Sequence, residues 1–193
     1  MNDVRLDPIR IDVGQVLERT VASLYSHLVT RPTGRAVRMA IEARLQSAGA
    51  RSLSLIDLSE VVILDFSCAD EVVARLVEDS ARSASHEAFF VFRGVHEPHR
   101  DQIETVLDRR GLATVAETGP GTFQLLGRRS DREERVWTEL ERRGLVAPGD
   151  LGEIAADGAD LEALESVLHR RLAFRSPTSG RVHALSRLVL HFS

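Results

Sequence analysis

Apolar positions along this chain recur with two different periods, and the places where the period changes mark the elements. In "GRAVRMAIEARLQSAG", 34–49, Val37, Ile41 and Leu45 recur every four residues, with Ala40 and Ala48 filling beside them. That spacing predicts a helix, capped by Thr33 and stopped at Gly49. "RSLSLIDLS", 51–59, reads as a strand on Leu53, Leu55, Ile56 and Leu58. "AFFVFRGV", 88–95, is a nearly unbroken apolar run, the pattern of a strand covered on both faces. "EPHRDQIETVLDRRG", 97–111, predicts a helix with Pro98 near its first position, Ile103 and Leu107 inward and Gly111 as its stop. Residues 112–127 read as a strand, a turn at Gly119-Pro120-Gly121 and a closing strand. Upstream, 9–22 is weakly patterned, a short strand or helix, and "VASLYSHLVT", 21–30, has strand-forming residues. Strands alternating with helices of this length indicate an α/β sheet, partly parallel, with right-handed crossovers and helices on at least one face.

Beyond "GRRSD", 127–131, the pattern changes. Helices are predicted over 132–144 (Val136, Trp137, Leu140 inward), 147–158 and 159–172 (Leu161, Leu164, Leu168, Leu172), followed by two strands in 173–190 around Pro177-Thr178-Ser179-Gly180. Three helices and then a hairpin is the order of a winged helix-turn-helix. The expectation is therefore an α/β domain over 1–128 and a small α+β domain over 131–193.

Between strand 51–59 and strand 88–95 lies "VVILDFSCADEVVARLV", 61–77. An apolar run stops at Asp65, passes Phe66, Ser67 and Cys68, and resumes as a helix on Val72, Val73, Leu76 and Val77. Ser67 to Asp70 has the spacing of a capping box, and Asp65 is an equally good N-cap. Cys68, in the first helical turn, fits a small buried hydrophobe better than a reactive thiolate.

Composition narrows the chemistry. All 25 basic residues are arginine, and the absence of lysine removes the phosphate-loop nucleotide hydrolases and Schiff-base or pyridoxal phosphate catalysis. A formal net charge of −4 gives no general attraction to nucleic acid or an anionic membrane. No apolar run approaches the roughly 20 residues of a spanning helix, the first residues lack a secretory h-region, and the single Cys68 fits a reducing compartment. A soluble cytoplasmic protein is the expectation, with homo-oligomerisation left open. His96-x-x-His99, with His86, Asp101 and Glu104 nearby, lacks convergent further ligands, so solvated loop residues are expected there, with no metal and no cofactor.

"LIDLSEVVILDFSCADEVVARL" resembles the STAS domain of anti-sigma-factor antagonists, and more closely its STAS-like branch, whose signature sits at this strand-to-helix joint. Asp57-Leu58-Ser59 matches the Asp-apolar-Ser step. Asp65-Phe66-Ser67-Cys68 occupies the place of Asp-Ser-Ser-Gly, with Phe66 for the first Ser and Cys68 for the Gly, and Ala69-Asp70-Glu71 matches the STAS-like branch. The resemblance covers roughly 20–127. It implies a non-enzymatic regulatory protein acting in partner switching or transcription-related signalling, with a histidine-kinase-like ATPase or anti-sigma factor as partner. By position it makes Ser67 the candidate phosphoacceptor and Asp57, Ser59, Asp65, Cys68, Asp70 and Glu71 the partner-binding surface. A phosphoserine would bring about 1.5–2 negative charges to a helix N-terminus already flanked by carboxylates.

The alternative is a DNA-binding regulator using the C-terminal segment, with Arg170, Arg171, Arg175, Arg181 and His183 as contacts. Charge weighs against it. Residues 131–193 carry 9 Arg against 11 Asp plus Glu, and phosphate neutralisation supplies most non-specific affinity. Dimerisation or protein contact suits that segment better.

Overall fold

The computed structural model describes residues 6–20, 27–83 and 85–190. Its centre is a five-stranded sheet in the order β1 (Asp7–Asp12), β3 (Arg51–Asp57), β5 (Glu87–Arg93), β6 (Ala113–Gly119), β7 (Thr122–Gly127). The first four strands are parallel, and β7 returns antiparallel to β6. A two-stranded parallel ribbon, β2 (His27–Leu28) with β4 (Ile63–Leu64), stands apart from it. The molecule is mixed α/β with a mostly parallel central sheet.

Side-chain alternation on the strands explains the layering. Ile56 of β3, Phe90 and Phe92 of β5, Ala116 of β6 and Leu126 of β7 face one core. There they meet α1 (Val13–Thr20), α2 (Arg31–Gln46), α5 (Glu97–Arg110) and a long helix over 66–82. Leu53, Leu55, Phe89, Val91, Val115 and Leu125 face a second core, filled by the C-terminal segment. The apolar run in β5 thus reflects burial on both faces. What covers the second face is the segment expected to be a separate domain: 1–128 and 131–193 share one core.

That segment comprises α6 (Asp131–Arg143), β8 (Leu145–Val146), a 3-10 turn (Pro148–Glu153), α7 (Gly158–His169), β9 (Ala173–Arg175), β10 (Val182–Ala184) and α8 (Leu185–Val189). β10 lies between β8 and β9 in a three-stranded antiparallel sheet. Phe174 meets Phe89 edge-to-face at 5.5 Å, and the Trp137 indole donates to Leu172 O at 3.2 Å. Ser130 and Glu133 close a capping box on α6.

Several boundaries differ from the sequence reading, each for a local reason. Helix α2 begins at Arg31 on a Thr30 cap, because Pro32 is tolerated in a first turn, and it ends at Gln46 with Ser47 Oγ donating to Arg44 O at 2.7 Å. The short 147–158 helix is 3-10, and 185–189 is a helix rather than the end of a strand. Of the strand expected over 21–30, His27–Leu28 is observed; 21–26 lie outside the described residues.

Candidate functional site

The carboxyl ends of parallel strands gather loops, so this edge is where a ligand or partner is expected. β3 ends in Asp57, whose Oδ1 accepts from Ser59 N at 2.9 Å and Ser59 Oγ at 2.6 Å. The β5 end crosses close by at Gly94, with φ of 70°; a Cβ there would stand 2.5 Å from Ser59 N, so only glycine fits. Ser59 itself is exposed and Asp57 half-buried.

The chain then returns as β4 beside β2, tied by Asp65 N to Leu28 O at 2.8 Å. Asp65, not Ser67, caps the helix: its Oδ1 accepts from Cys68 N at 2.8 Å and from Ser67 Oγ at 2.9 Å. Ser67 is half-buried, its hydroxyl engaged by the capping carboxylate. Phe66 is half-buried beneath the guanidinium of Arg109, 4.5 Å from its ring centroid. Next to this joint three apolar side chains stand in solvent: Val29 at 46%, Val62 at 66% and Ile63 at 44% exposure.

The helix runs as α3 (Phe66–Ala69), a π-helical stretch (Asp70–Arg75) and α4 (Leu76–Arg82). A π turn spreads more residues around the axis, so consecutive side chains sit closer together. Asp70 and Glu71 share a partner here: Arg31 reaches both at 2.8 Å. Arg110 adds a 2.8 Å contact to Asp70, and Arg38 a 3.3 Å contact to Glu71. Burial would raise the Asp70 carboxyl, but hydrogen bonds and charge from Arg31 and Arg110 bring it below its ordinary value. Both carboxylates are buried. Expected on a partner-binding surface, they instead bind α2 and α5 to this helix.

Cys68 is also inside, under Gly34 of α2. Its thiol donates to Thr30 O at 3.0 Å, and burial with the neighbouring Asp65 charge pushes it up to about 12. A group so held is a packing element and not a nucleophile. Of the six residues expected at the surface, Asp57, Ser59 and Asp65 remain accessible; Cys68, Asp70 and Glu71 do not. The exposed patch of Val29, Val62 and Ile63 was not read from the sequence, because the apolar run 61–64 reads as core. Its signal was the short, isolated ribbon, visible only in three dimensions.

The histidines also differ from expectation. His99 is buried, its Nε2 3.4 Å from Val62 O, and burial lowers its pKa. The His96 and His99 rings lie 5.7 Å apart. Among the described residues no group of three or more His, Cys, Asp or Glu side chains is placed to hold a metal.

The expected DNA strip is dispersed. Arg170 binds Glu133 at 2.9 Å and Arg128 O. Arg171 donates to Ser80 O at 2.8 Å and Ser80 Oγ at 3.2 Å, and burial lowers its pKa. Arg175 forks onto Glu165 at 2.7 and 3.2 Å. His183 is buried beside Phe174, 5.9 Å between rings. Arg181 alone of the five is exposed without an ion-pair partner among the described residues. Carboxylates of this same segment hold two of the five, Arg170 and Arg175, and Arg171 is turned inward onto the backbone.

No helix among the described residues is long and apolar enough to cross a membrane. No family model matches the chain, and neither a curated protein nor a solved structure matches it significantly.

Proposed function

We propose that this chain is a non-enzymatic regulatory protein that docks another protein through the β2–β4 edge, with Ser67 as the residue whose modification controls docking. The carrying observation is the exposed trio Val29, Val62 and Ile63 directly beside the Asp65–Ser67 joint. Three large apolar side chains on and beside a ribbon that pairs with no further strand among the described residues suit a protein interface, where an extended partner segment adds hydrogen bonds and the apolar groups add burial. A phosphoryl group on Ser67 would break its 2.9 Å bond to Asp65 and set new negative charge against that carboxylate. The cap and the edge bonded to it through Asp65 N would respond together.

The STAS-like resemblance over 55–77 supports this reading, and it makes a histidine-kinase-like ATPase or anti-sigma factor the partner class, in the cytoplasm. The helix–strand–helix–hairpin order of the C-terminal segment, with β10 central, supports a winged-helix-like unit. Its contribution here is to cover the sheet. The dispersed arginines argue against a DNA role for it.

The test is co-purification of the full chain from its native cells, with phosphosite mass spectrometry. Wild type and Ser67→Ala retain one partner near stoichiometric amounts, while Val62→Asp and Ser67→Asp lose it though equally folded. Equal retention by wild type and Val62→Asp refutes the docking edge, and equal behaviour of Ser67→Ala and Ser67→Asp refutes the control.

A further inference from the structure

On the outer edge of the central sheet, β1 and the end of α2 flank an open cavity of about 530 Å³. That volume is within the range of small-molecule sites, roughly 300–1,000 Å³. Pro8, Ile9 and Arg10 line it from β1, and Arg44, Ser47 and Ala48 line it from α2. The fold holds these two elements together, since Ile9 packs against the same core as Leu45. None of the six lining residues is buried, so each can meet a ligand without rearrangement.

Two positive charges meet here without a counter-charge. Most of the described arginines are tied to a carboxylate, including Arg51 on the neighbouring strand, bound to Glu87, and Arg38 on α2, bound to Glu42 and Glu71. Arg10 and Arg44 form no ion pair among the described residues, and no described Asp or Glu lines the cavity. Like charges brought to one site repel, and an anion between them relieves the repulsion. The end of α2 offers little opposing charge, because its carbonyls are taken. Arg44 O accepts from Ser47 N at 3.2 Å and Ser47 Oγ at 2.7 Å, and Leu45 O accepts from Ala48 N at 3.1 Å. Guanidinium groups match phosphate and carboxylate oxygens with paired N–H donors. Two of them balance a dianion, and a phosphate monoester carries about 1.5–2 negative charges at neutral pH. Pro8, Ile9 and Ala48 put accessible carbon beside the charges, which suits an organic ester better than the bare ion.

We infer that this cavity binds a small phosphate monoester, its phosphoryl oxygens held between Arg10 and Arg44 and its organic body laid along Pro8, Ile9 and Ala48. Arg10 belongs to the sheet and Arg44 to the helical layer, so the occupant bridges the two and stabilises the folded chain by mass action. The inference is independent of the docking reading.

Phenyl phosphate is the probe, titrated into the full chain by calorimetry, amide NMR and thermal unfolding. Phenyl sulfate keeps the shape with a single charge, inorganic phosphate lacks the ring, and phenol lacks the charge. The expected result is saturable binding of phenyl phosphate, with amide shifts at Ile9, Arg10 and Ser47 and a Tm that climbs with its concentration. Phenyl sulfate and inorganic phosphate bind about tenfold more weakly or worse, and phenol does not bind. Arg10→Gln and Arg44→Gln, both at solvent-accessible positions, keep the fold and each weaken the complex about tenfold, the scale of one charge-assisted hydrogen bond. Arg35→Gln removes an exposed arginine of α2 that does not line the cavity and leaves the affinity unchanged. Equal affinity for phenyl sulfate, inorganic phosphate or phenol, unchanged affinity in Arg10→Gln or Arg44→Gln, an equal loss in Arg35→Gln, or no saturable phenyl phosphate binding up to about 10 mM overturns the inference.

Discussion

Glu133 shows how a residue outside the candidate site sets the acid stability of the molecule. Its carboxylate, buried where α6 meets α7, accepts from Ser166 Oγ at 2.6 Å, Ser130 N at 2.7 Å and Arg170 at 2.9 Å. Burial alone would raise the carboxyl; these three donors overcome it and hold the group at about 2 instead of its ordinary 4.5. At ~1.4 kcal/mol per pH unit, that difference corresponds to about 3 kcal/mol of stability. The folded value lies below the unfolded one. The contribution is therefore complete above about pH 4.5 and is lost as pH falls toward 2. Glu133→Gln should be about 3 kcal/mol less stable than wild type at pH 7, a drop of roughly 6–12 °C in Tm for a chain of this size. By pH 2.5 the gap should narrow to about 1 kcal/mol. Urea unfolding followed by the single tryptophan, Trp137, at several pH values measures it. A gap that keeps the same size from pH 7 to pH 2.5 would refute the charge argument and leave only altered packing. The same geometry predicts that Arg170→Ala destabilises the fold, since it strands a buried carboxylate.

Further changes separate the other contacts. Gly34→Ala adds a Cβ 2.9 Å from the Cys68 backbone, so despite a gain in helix propensity of about 1 kcal/mol it should destabilise by about 1–3 kcal/mol net; a rise in Tm would contradict this, and adding Cys68→Ala should restore only part, since the nearest atom is backbone. Arg171 has φ of 60°, the left-handed position that follows a helix and usually holds glycine. Arg171→Gly should therefore be about 1 kcal/mol more stable than Arg171→Ala, although both lose the guanidinium; equal denaturation midpoints would show no strain there. Asp65→Ala removes the cap and should cost about 1 kcal/mol while freeing the Ser67 hydroxyl, which faster phosphorylation by a non-specific kinase in vitro would reveal.

Local signals carried the sequence reading where it succeeded. Pro98 and Gly111 bracket α5 as read, with Gly111 at φ of 66°, and the apolar run in β5 announced burial on both faces. Signals that depend on distant partners were invisible. Nothing in "FSCADEV" says that Asp70 and Glu71 will both meet Arg31, 39 and 40 positions earlier, so both read as surface charge. The strand β1, "DPIRID", is charged in keeping with its place at an edge of the described sheet, where Pro8 and Arg10 deter further pairing, and its weak alternation left 9–22 open between strand and helix. The five residues of α8 are too few to display a helical period. The separate-domain expectation failed to foresee the shared core because an amphipathic pattern tells which residues are buried, never against what.

The two-sided sheet also bears on how the protein is made. A ribosome finishes the five strands of the central sheet by Gly127, yet Leu53, Leu55, Phe89 and Val91 stay uncovered until the last sixty or so residues emerge, about 3–12 s later at roughly 5–20 residues per second. For that interval the nascent chain displays a broad greasy plane to the crowded cell, and a chaperone or a pause that shields it would decide yield more than any residue at the docking edge.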